Sequence, residues 1–287
     1  MKNIKDFPIK QLHWHALSGY IKNMQEELIQ FYSNDYDEAG RLLKDRAHWI
    51  EFLTTMDVLK RLIRPGACIL DCCAGAGAYA FALAAEGYTV TACDLVPALV
   101  DQIKERQQKE PVLTDICVAD ARDLSAFPDN RFDAVLCMGA LYHLADDKER
   151  AQAVQECVRV LKPGGLFAGA YINKHAQVLS GLLRKGADRL DFLMDIVQKG
   201  STPLGHFSGH LFYRTDPETI EQEMAQAHLT KRAHVATDGI GYVLKNVIES
   251  MTEDQYQKWV QYHLAHCADP YLLGYSLHGL YVGEKQK

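Results

Sequence analysis

Carboxylates and glycines stand where short apolar runs end. In Ile69-Leu70-Asp71-Cys72-Cys73-Ala74-Gly75-Ala76-Gly77 an acid precedes two glycines at a turn. Glycine permits positive φ and lets a ligand approach the backbone closely. Gly75-Ala76-Gly77-Ala78-Tyr79-Ala80 formally satisfies the dinucleotide pattern G-x-G-x-x-G/A, and Asp94 lies 17 residues past Gly77, near the spacing of a ribose-binding acid. Asp71 speaks against that match, because its charge inside the approach to the glycines would repel a pyrophosphate. It suits a cationic ligand with an amino group. A further acid, Asp120, follows the third apolar run in Val118-Ala119-Asp120-Ala121-Arg122. For proton transfer the best-placed group is His143, in Gly139-Ala140-Leu141-Tyr142-His143-Leu144. Its ordinary pKa of about 6.5 suits proton removal at neutral pH. The competing role is to orient a loop or contact a ligand by hydrogen bonds, and Tyr142 shares this ambiguity, with packing as its alternative.

Other reactive side chains carry weaker signals. His13 with His15, His206 with His210, and His263 with His266 lack acid or thiol partners at a metal-ligand spacing, so no metal is expected. Eight cysteines in 287 residues are too sparse for a secreted disulfide scaffold. Five of them (Cys68, Cys72, Cys93, Cys117 and Cys137) sit in or beside apolar runs, where a free thiol behaves as a small hydrophobe. Cys72-Cys73 has no second pair, which disfavours zinc.

The elements that must position these groups alternate from residue 67 onward. Strands are expected at 67–72, 89–93, 113–118, 132–138 and 166–172, with helices at 78–86, 97–108 and 148–161. The turn Lys162-Pro163-Gly164-Gly165 stops the last of these helices. Later come a helix at 216–228, a strand at 233–237, a polar and aromatic helix at 252–267 whose aromatics read as core, and a strand at 277–283. The first 65 residues read as helical, at 20–32 and 42–62. This is an α/β chain: a helical N-terminal cap over 1–65, then a core over 66–287 with lid insertions near 174–214 and 238–275.

Taken in order, the loop at Asp71–Gly77, Asp94, Asp120, the run Phe132-Asp133-Ala134-Val135-Leu136-Cys137-Met138 and the Lys162–Gly165 turn resemble the class I S-adenosylmethionine-dependent methyltransferases, over roughly residues 69–172. The resemblance implies a Rossmann-like, seven-stranded, mostly parallel sheet with helices on both faces and an antiparallel last strand. It implies that Asp71, Gly75 and Gly77 surround the methionyl part of the cofactor, with Cys73 in a slot where such loops carry glycine. Asp94 with Leu95 would hold the ribose, Asp120 with Ala121 the adenine, and Met138 and Gly139 would form the floor near the methyl group. Softer likeness to a bacterial subgroup runs through Arg41-Leu42, Ile50-Glu51-Phe52, residues 210–214 and Leu272-Leu273-Gly274-Tyr275-Ser276-Leu277-His278, and assigns these residues no role.

The implied reaction is methyl transfer from S-adenosylmethionine to a small-molecule acceptor, by in-line displacement at the sulfonium methyl, with His143 and Tyr142 as catalytic candidates. Topology alone puts Tyr20, Arg41, His210 and Arg214 on the acceptor side, where Arg214 would clamp a carboxylate or phosphate. A net charge of −6, a pI near 6.0 and no basic run beyond pairs argue against nucleic acid. A tRNA or protein methyltransferase is the alternative enzyme of another substrate class. An NAD-dependent oxidoreductase and a non-catalytic cofactor-binding protein are the others. No apolar run reaches a membrane span of about 18 residues and no signal-peptide core is present, so a cytoplasmic protein is expected, with homo-oligomerisation left open.

Overall fold

The computed structural model describes residues 24–200 and 210–287. Residues 24–30 are helical and run into a π-helical turn, Phe31–Asp35. The helices that follow are α1 (Arg46–Leu62), α2 (Ala78–Ala85), α3 (Pro97–Lys109), the single turn α4 (Ala140–His143), α5 (Asp147–Val160), α6 (Lys174–Lys185), α7 (Leu190–Lys199), α8 (Pro217–Gln226), α9 (Lys245–Ser250), α10 (Glu253–His266) and α11 (Pro270–Leu273). The strands are β1 (Cys68–Asp71), β2 (Thr89–Asp94), β3 (Asp115–Val118), β4 (Phe132–Cys137), β5 (Leu161–Ile172), β6 (Leu229–Ala236) and β7 (His278–Lys285).

The strands make one sheet in the order β3-β2-β1-β4-β5-β7-β6. All neighbouring pairs from β3 to β5 are parallel, and β7 runs antiparallel to both β5 and β6. Side chains alternate across the strands and divide the core into two layers. Ile69, Val90, Ala134 and Leu136 pack with α1, α2 and α3 on one face. Leu70, Cys93, Val135, Cys137 and Phe167 pack with α5 and α8 on the other. Met56, Val58 and Leu59 of α1 belong to the first layer, so the N-terminal helix shares the core of the sheet. A satellite cluster joins Ala47 and Ile50 of α1 to Ile248, Tyr256 and Val260 of α9 and α10.

Three strand starts differ from the sequence expectation by two residues or more: β6 begins at Leu229 rather than 233, with a register shift between Lys231 and Ala233, and β3 and β5 differ each for a local reason. β3 begins at Asp115 because the Gln107 side chain accepts from Val112 and Leu113 N–H and donates to the Leu113 carbonyl, taking those groups from the ladder. β5 begins at Leu161, before the Pro-Gly-Gly turn. Leu161 pairs with Phe132 and Leu166 with Ala134, so the turn lies within the strand as a bulge. Lys162 Nζ reaches Asp133 Oδ1 at 2.9 Å from that bulge. The aromatic helix α10 packs as expected, with Tyr256 and His263 buried.

Candidate active site

The carboxyl ends of β1, β2, β3 and β4 open into a cavity of about 620 Å³. In an open α/β sheet that edge is the natural ligand crevice. Gly75 and Gly77 both have positive φ, +56° and +85°, which carries the chain from β1 into α2. Gly77 caps α2 from behind the cavity wall, while Cys73, Gly75, Asp94, Leu95, Asp120, Ala121, Met138 and Gly139 line it. The loop is locked by Asp94, whose Oδ2 accepts from Gly75 N–H and whose Oδ1 accepts from Val96 N–H, each at 2.9 Å. Burial outweighs these bonds and pushes the Asp94 carboxyl up to about 6.

Asp71 lies beneath the loop rather than in its wall. It is 1% exposed, and neither carboxylate oxygen has a well-aligned donor among the described residues. Burial, then the charge of Asp94, pushes it up to about 8. Cys73 fits its slot because the residue opposite has no side chain: a Cβ on Gly139 would meet Cys73 Cβ at 2.7 Å. Sγ atoms of Cys72, Cys73 and Cys137 lie within 4.8 Å of one another, and Cys157 approaches Cys72 at 3.8 Å. This thiol group comes from three separate elements, so residue spacing alone did not reveal it. Asp120 lines the cavity with its carboxylate held by Arg122, which Glu149 and Gln25 hold from the far side.

His143 and Tyr142 also line the cavity, but their polar atoms are engaged. His143 Nδ1 donates to the Leu211 carbonyl at 2.8 Å, which fixes Nε2 as acceptor for the Tyr32 hydroxyl at 3.0 Å. Burial pushes this histidine down to about 4. The Tyr142 hydroxyl donates to the Met138 carbonyl at 2.7 Å. The ring nitrogens of His143 are thus spent on holding Tyr32 and the segment around Leu211, the loop-orienting arrangement that stood beside its reading as a base.

A second cavity of about 100 Å³ shares Tyr32, Glu38, Arg41, Tyr79, Met138 and Tyr142 with the first. Its other walls include Tyr36, Glu51, Thr55, Phe212, Thr237 and His278. Arg41 is the one acceptor-side candidate the structure places here. Its Nη1 bridges both Glu51 oxygens at 2.9 Å and its Nε reaches Glu38 at 3.1 Å. His210 and Arg214 line neither cavity. His210 Nε2 meets Glu27 at 2.6 Å, and Arg214, 7% exposed, donates to the Phe212 carbonyl two residues back. His210 ties this segment to Glu27, and Arg214 bonds within the segment. Tyr20 lies outside the described residues, as do His13, His15 and His206. His263 Nε2 faces the Thr237 carbonyl at 3.2 Å.

Sequence reasoning assigned no role to Glu51, Asp238 and His278. Asp238 is buried; its Oδ1 accepts from Ser276 Oγ at 2.7 Å and its Oδ2 holds His278 Nδ1 at 2.8 Å. These three side chains are close enough to share a cation, but Arg41, Ser276 and His278 already supply donors to both carboxylates.

Fold and site define a nucleotide-derived-cofactor enzyme scaffold, and comparison with known proteins narrows it. Residues 70–169 match a protein family described as a methyltransferase domain. Over 117 residues the chain is 36% identical to a ubiquinone biosynthesis O-methyltransferase of Xanthomonas campestris pv. campestris, covering 41% of this chain and 48% of that protein. The chain therefore spans about half the length of such relatives. Among solved structures, a 1,6-didemethyltoxoflavin-N1-methyltransferase of Burkholderia thailandensis aligns with a TM-score of 0.58 at 13% identity, covering 100% of this chain and 94% of that one. A SAM-dependent methyltransferase of Methanosarcina mazei aligns with a TM-score of 0.55 at 18% identity, covering 80% and 97%. The chain carries a class I S-adenosylmethionine-dependent methyltransferase domain. The cofactor of that class fits what is present: a cavity of suitable size, a glycine loop open to close approach, and the acids Asp94 and Asp120 in the cavity wall.

Proposed function

We propose that this chain is a cytoplasmic enzyme that transfers a methyl group from S-adenosylmethionine to an oxygen of a small molecule. The observation that carries the reading is the wall that the two cavities share, formed by Tyr32, Glu38, Arg41, Tyr79, Met138 and Tyr142. A large one at the strand ends suits the cofactor, and a small polar one, walled from outside the methyltransferase domain by Arg41, Glu51 and His278, suits an acceptor. The O-methyltransferase relatives support oxygen as the acceptor atom. The eight cysteines, none in a disulfide, fit a reducing compartment.

In this reading Cys73 and Gly75 hold the methionyl end, with Asp71 beneath the loop and Gly77 setting the turn. Asp94 and Leu95 take the ribose, and Asp120 and Ala121 the adenine. Met138 and Gly139 underlie the transferred methyl group, and Arg41 walls the acceptor side. The bound cofactor supplies an already activated methyl group. The protein has to align the acceptor, exclude water and remove a proton. Tyr142 and His143 act as positioning residues, fixing Met138 and Tyr32 in the wall the cavities share.

Calorimetry with S-adenosylhomocysteine and NADH, followed by transfer of labelled methyl to phenols, amines, bulk tRNA and bulk protein, tests the reading. Binding of S-adenosylhomocysteine with label on a small hydroxyl compound is expected. Label on tRNA or protein, or preference for NADH, would overturn it.

A further inference from the structure

We propose that the smaller cavity receives the acceptor as a single phenolic ring, whose hydroxyl proton passes to His278 Nε2. This deepens the methyl-transfer reading and rests on it. At about 100 Å³ the cavity is far below the roughly 300 Å³ at the lower end of drug-sized sites, so it holds one ring. Tyr32, Tyr36, Tyr79 and Phe212 supply aromatic faces and edges around it.

Charge narrows the class further. Arg41 is committed to Glu38 and Glu51, and Asp238 stands behind His278, so a carboxylate entering here would meet three acids and an already neutralised guanidinium. An amine attacks through a free lone pair and needs no strong base, whereas a hydroxyl does. The cavity holds such a base. Asp238 accepts from Ser276 Oγ and from the His278 main chain, so its remaining oxygen orients the imidazole through Nδ1–H. In the neutral ring Nε2 is then the unprotonated nitrogen, and no hydrogen bond engages it among the described residues. Burial pushes His278 down, but Glu51 from α1 and Asp238 from the loop after β6 outweigh it and raise its pKa, against the opposing charge of Arg41. As the acceptor oxygen bonds to the methyl carbon, the C–S pair stays on sulfur and the hydroxyl proton moves to Nε2, from which it returns to solvent.

The test uses 4-nitrophenol as an optical probe on the complete chain saturated with S-adenosylhomocysteine. The bound dye is expected to show phenolate absorbance at a pH one unit below its solution pKa. His278→Gln should bind S-adenosylhomocysteine normally and lose that absorbance at least about tenfold. Benzoate should not compete with the dye. Wild-type protein that binds S-adenosylhomocysteine but leaves the dye protonated overturns this inference and spares the methyl-transfer reading. Failure to bind S-adenosylhomocysteine overturns the reading beneath it. Phenolate absorbance undiminished in His278→Gln sends the proton elsewhere and also overturns the assignment. Where that variant does not fold, histidine-selective 15N NMR on the wild type decides: Nε2 should gain a proton when the dye binds, and an unchanged ring overturns the proposal.

Discussion

The larger cavity takes Cys73, Asp94, Asp120 and Met138 from the ends of β1, β2, β3 and β4 in order, and the wall it shares with the smaller one takes Tyr32, Glu38 and Arg41 from before the sheet. The smaller cavity takes Tyr36, Arg41 and Glu51 from before the sheet and Thr237 and His278 from its last two strands and their connection. One site is therefore written locally, in motifs that repeat a strand-then-turn rule. The other exists only when both ends of the chain have packed together, through contacts such as Arg46 Nη1 to the Met251 carbonyl at 2.7 Å and the Tyr256 hydroxyl to the Arg46 carbonyl at 3.0 Å. Local wiring constrains a common ligand, and distant wiring leaves room for a particular one.

Substitutions should separate the two sites, and the largest effect is expected at Asp94. Asp94→Ala removes the acceptor for Gly75 and Val96 N–H as well as the proposed ribose partner. Affinity for S-adenosylhomocysteine should fall by about 1–3 kcal/mol, roughly fivefold to 150-fold, by calorimetry on the folded variant. Unchanged affinity would dissolve the distinction between the cavities.

Asp71→Asn should act on stability and binding in opposite directions. A carboxyl raised to about 8 in the fold, against an ordinary value near 4, keeps its proton while the unfolded chain loses its own. Folding stability then declines as pH rises from about 4 to 8, and the loss is complete above that. The variant should melt on the order of 5 °C higher at pH 8 than wild type, with little difference at pH 4. It should also bind S-adenosylhomocysteine more weakly. A variant that melts lower at pH 8 would remove the burial cost from the account.

On the other side of the boundary, Glu51→Gln loosens Arg41 and His278 together. With the acceptor found by the labelling screen, KM should rise about tenfold while affinity for S-adenosylhomocysteine stays within about twofold. Equal losses in both would make the cavities one cooperative unit. The smallest effect belongs to Arg214→Ala. Because Arg214 contacts Phe212 and lines neither cavity, steady-state kinetics should show acceptor KM and cofactor affinity each moving less than about threefold. A large rise in KM would bring the 210–214 segment into the acceptor site.

The same contrast explains what could be read in the residues. Strand runs such as 89–93 and 132–138, and acids at or after strand ends, foretold the sheet and the place of Asp94 and Asp120 in the cavity wall, because a parallel sheet repeats one rule. β3 and β5 started elsewhere than expected, since the Gln107 side chain and a bulge at Pro163–Gly165 act on main-chain groups that periodicity does not record. His143 drew notice for its place after β4, yet both ring nitrogens are occupied by Tyr32 and Leu211, distant in sequence. Asp238 and His278 gave no spacing signal because Ser276, on a different connection from Asp238, is what brings them together.

The position of β7 sets an order on biosynthesis. It is the last of the seven strands to be translated, yet it sits between β5 and β6 and supplies the partners of both. A chain leaving the ribosome can align β3, β2, β1, β4 and β5 while β6 still waits for an edge, since domains assemble from the N-terminal side as they are made. On that order the glycine loop would be in place before the wall bearing His278 exists. Cofactor present in the cell would then stabilise the half-built sheet by mass action during this interval. A nascent chain arrested before residue 278 should already be protected from protease by S-adenosylhomocysteine.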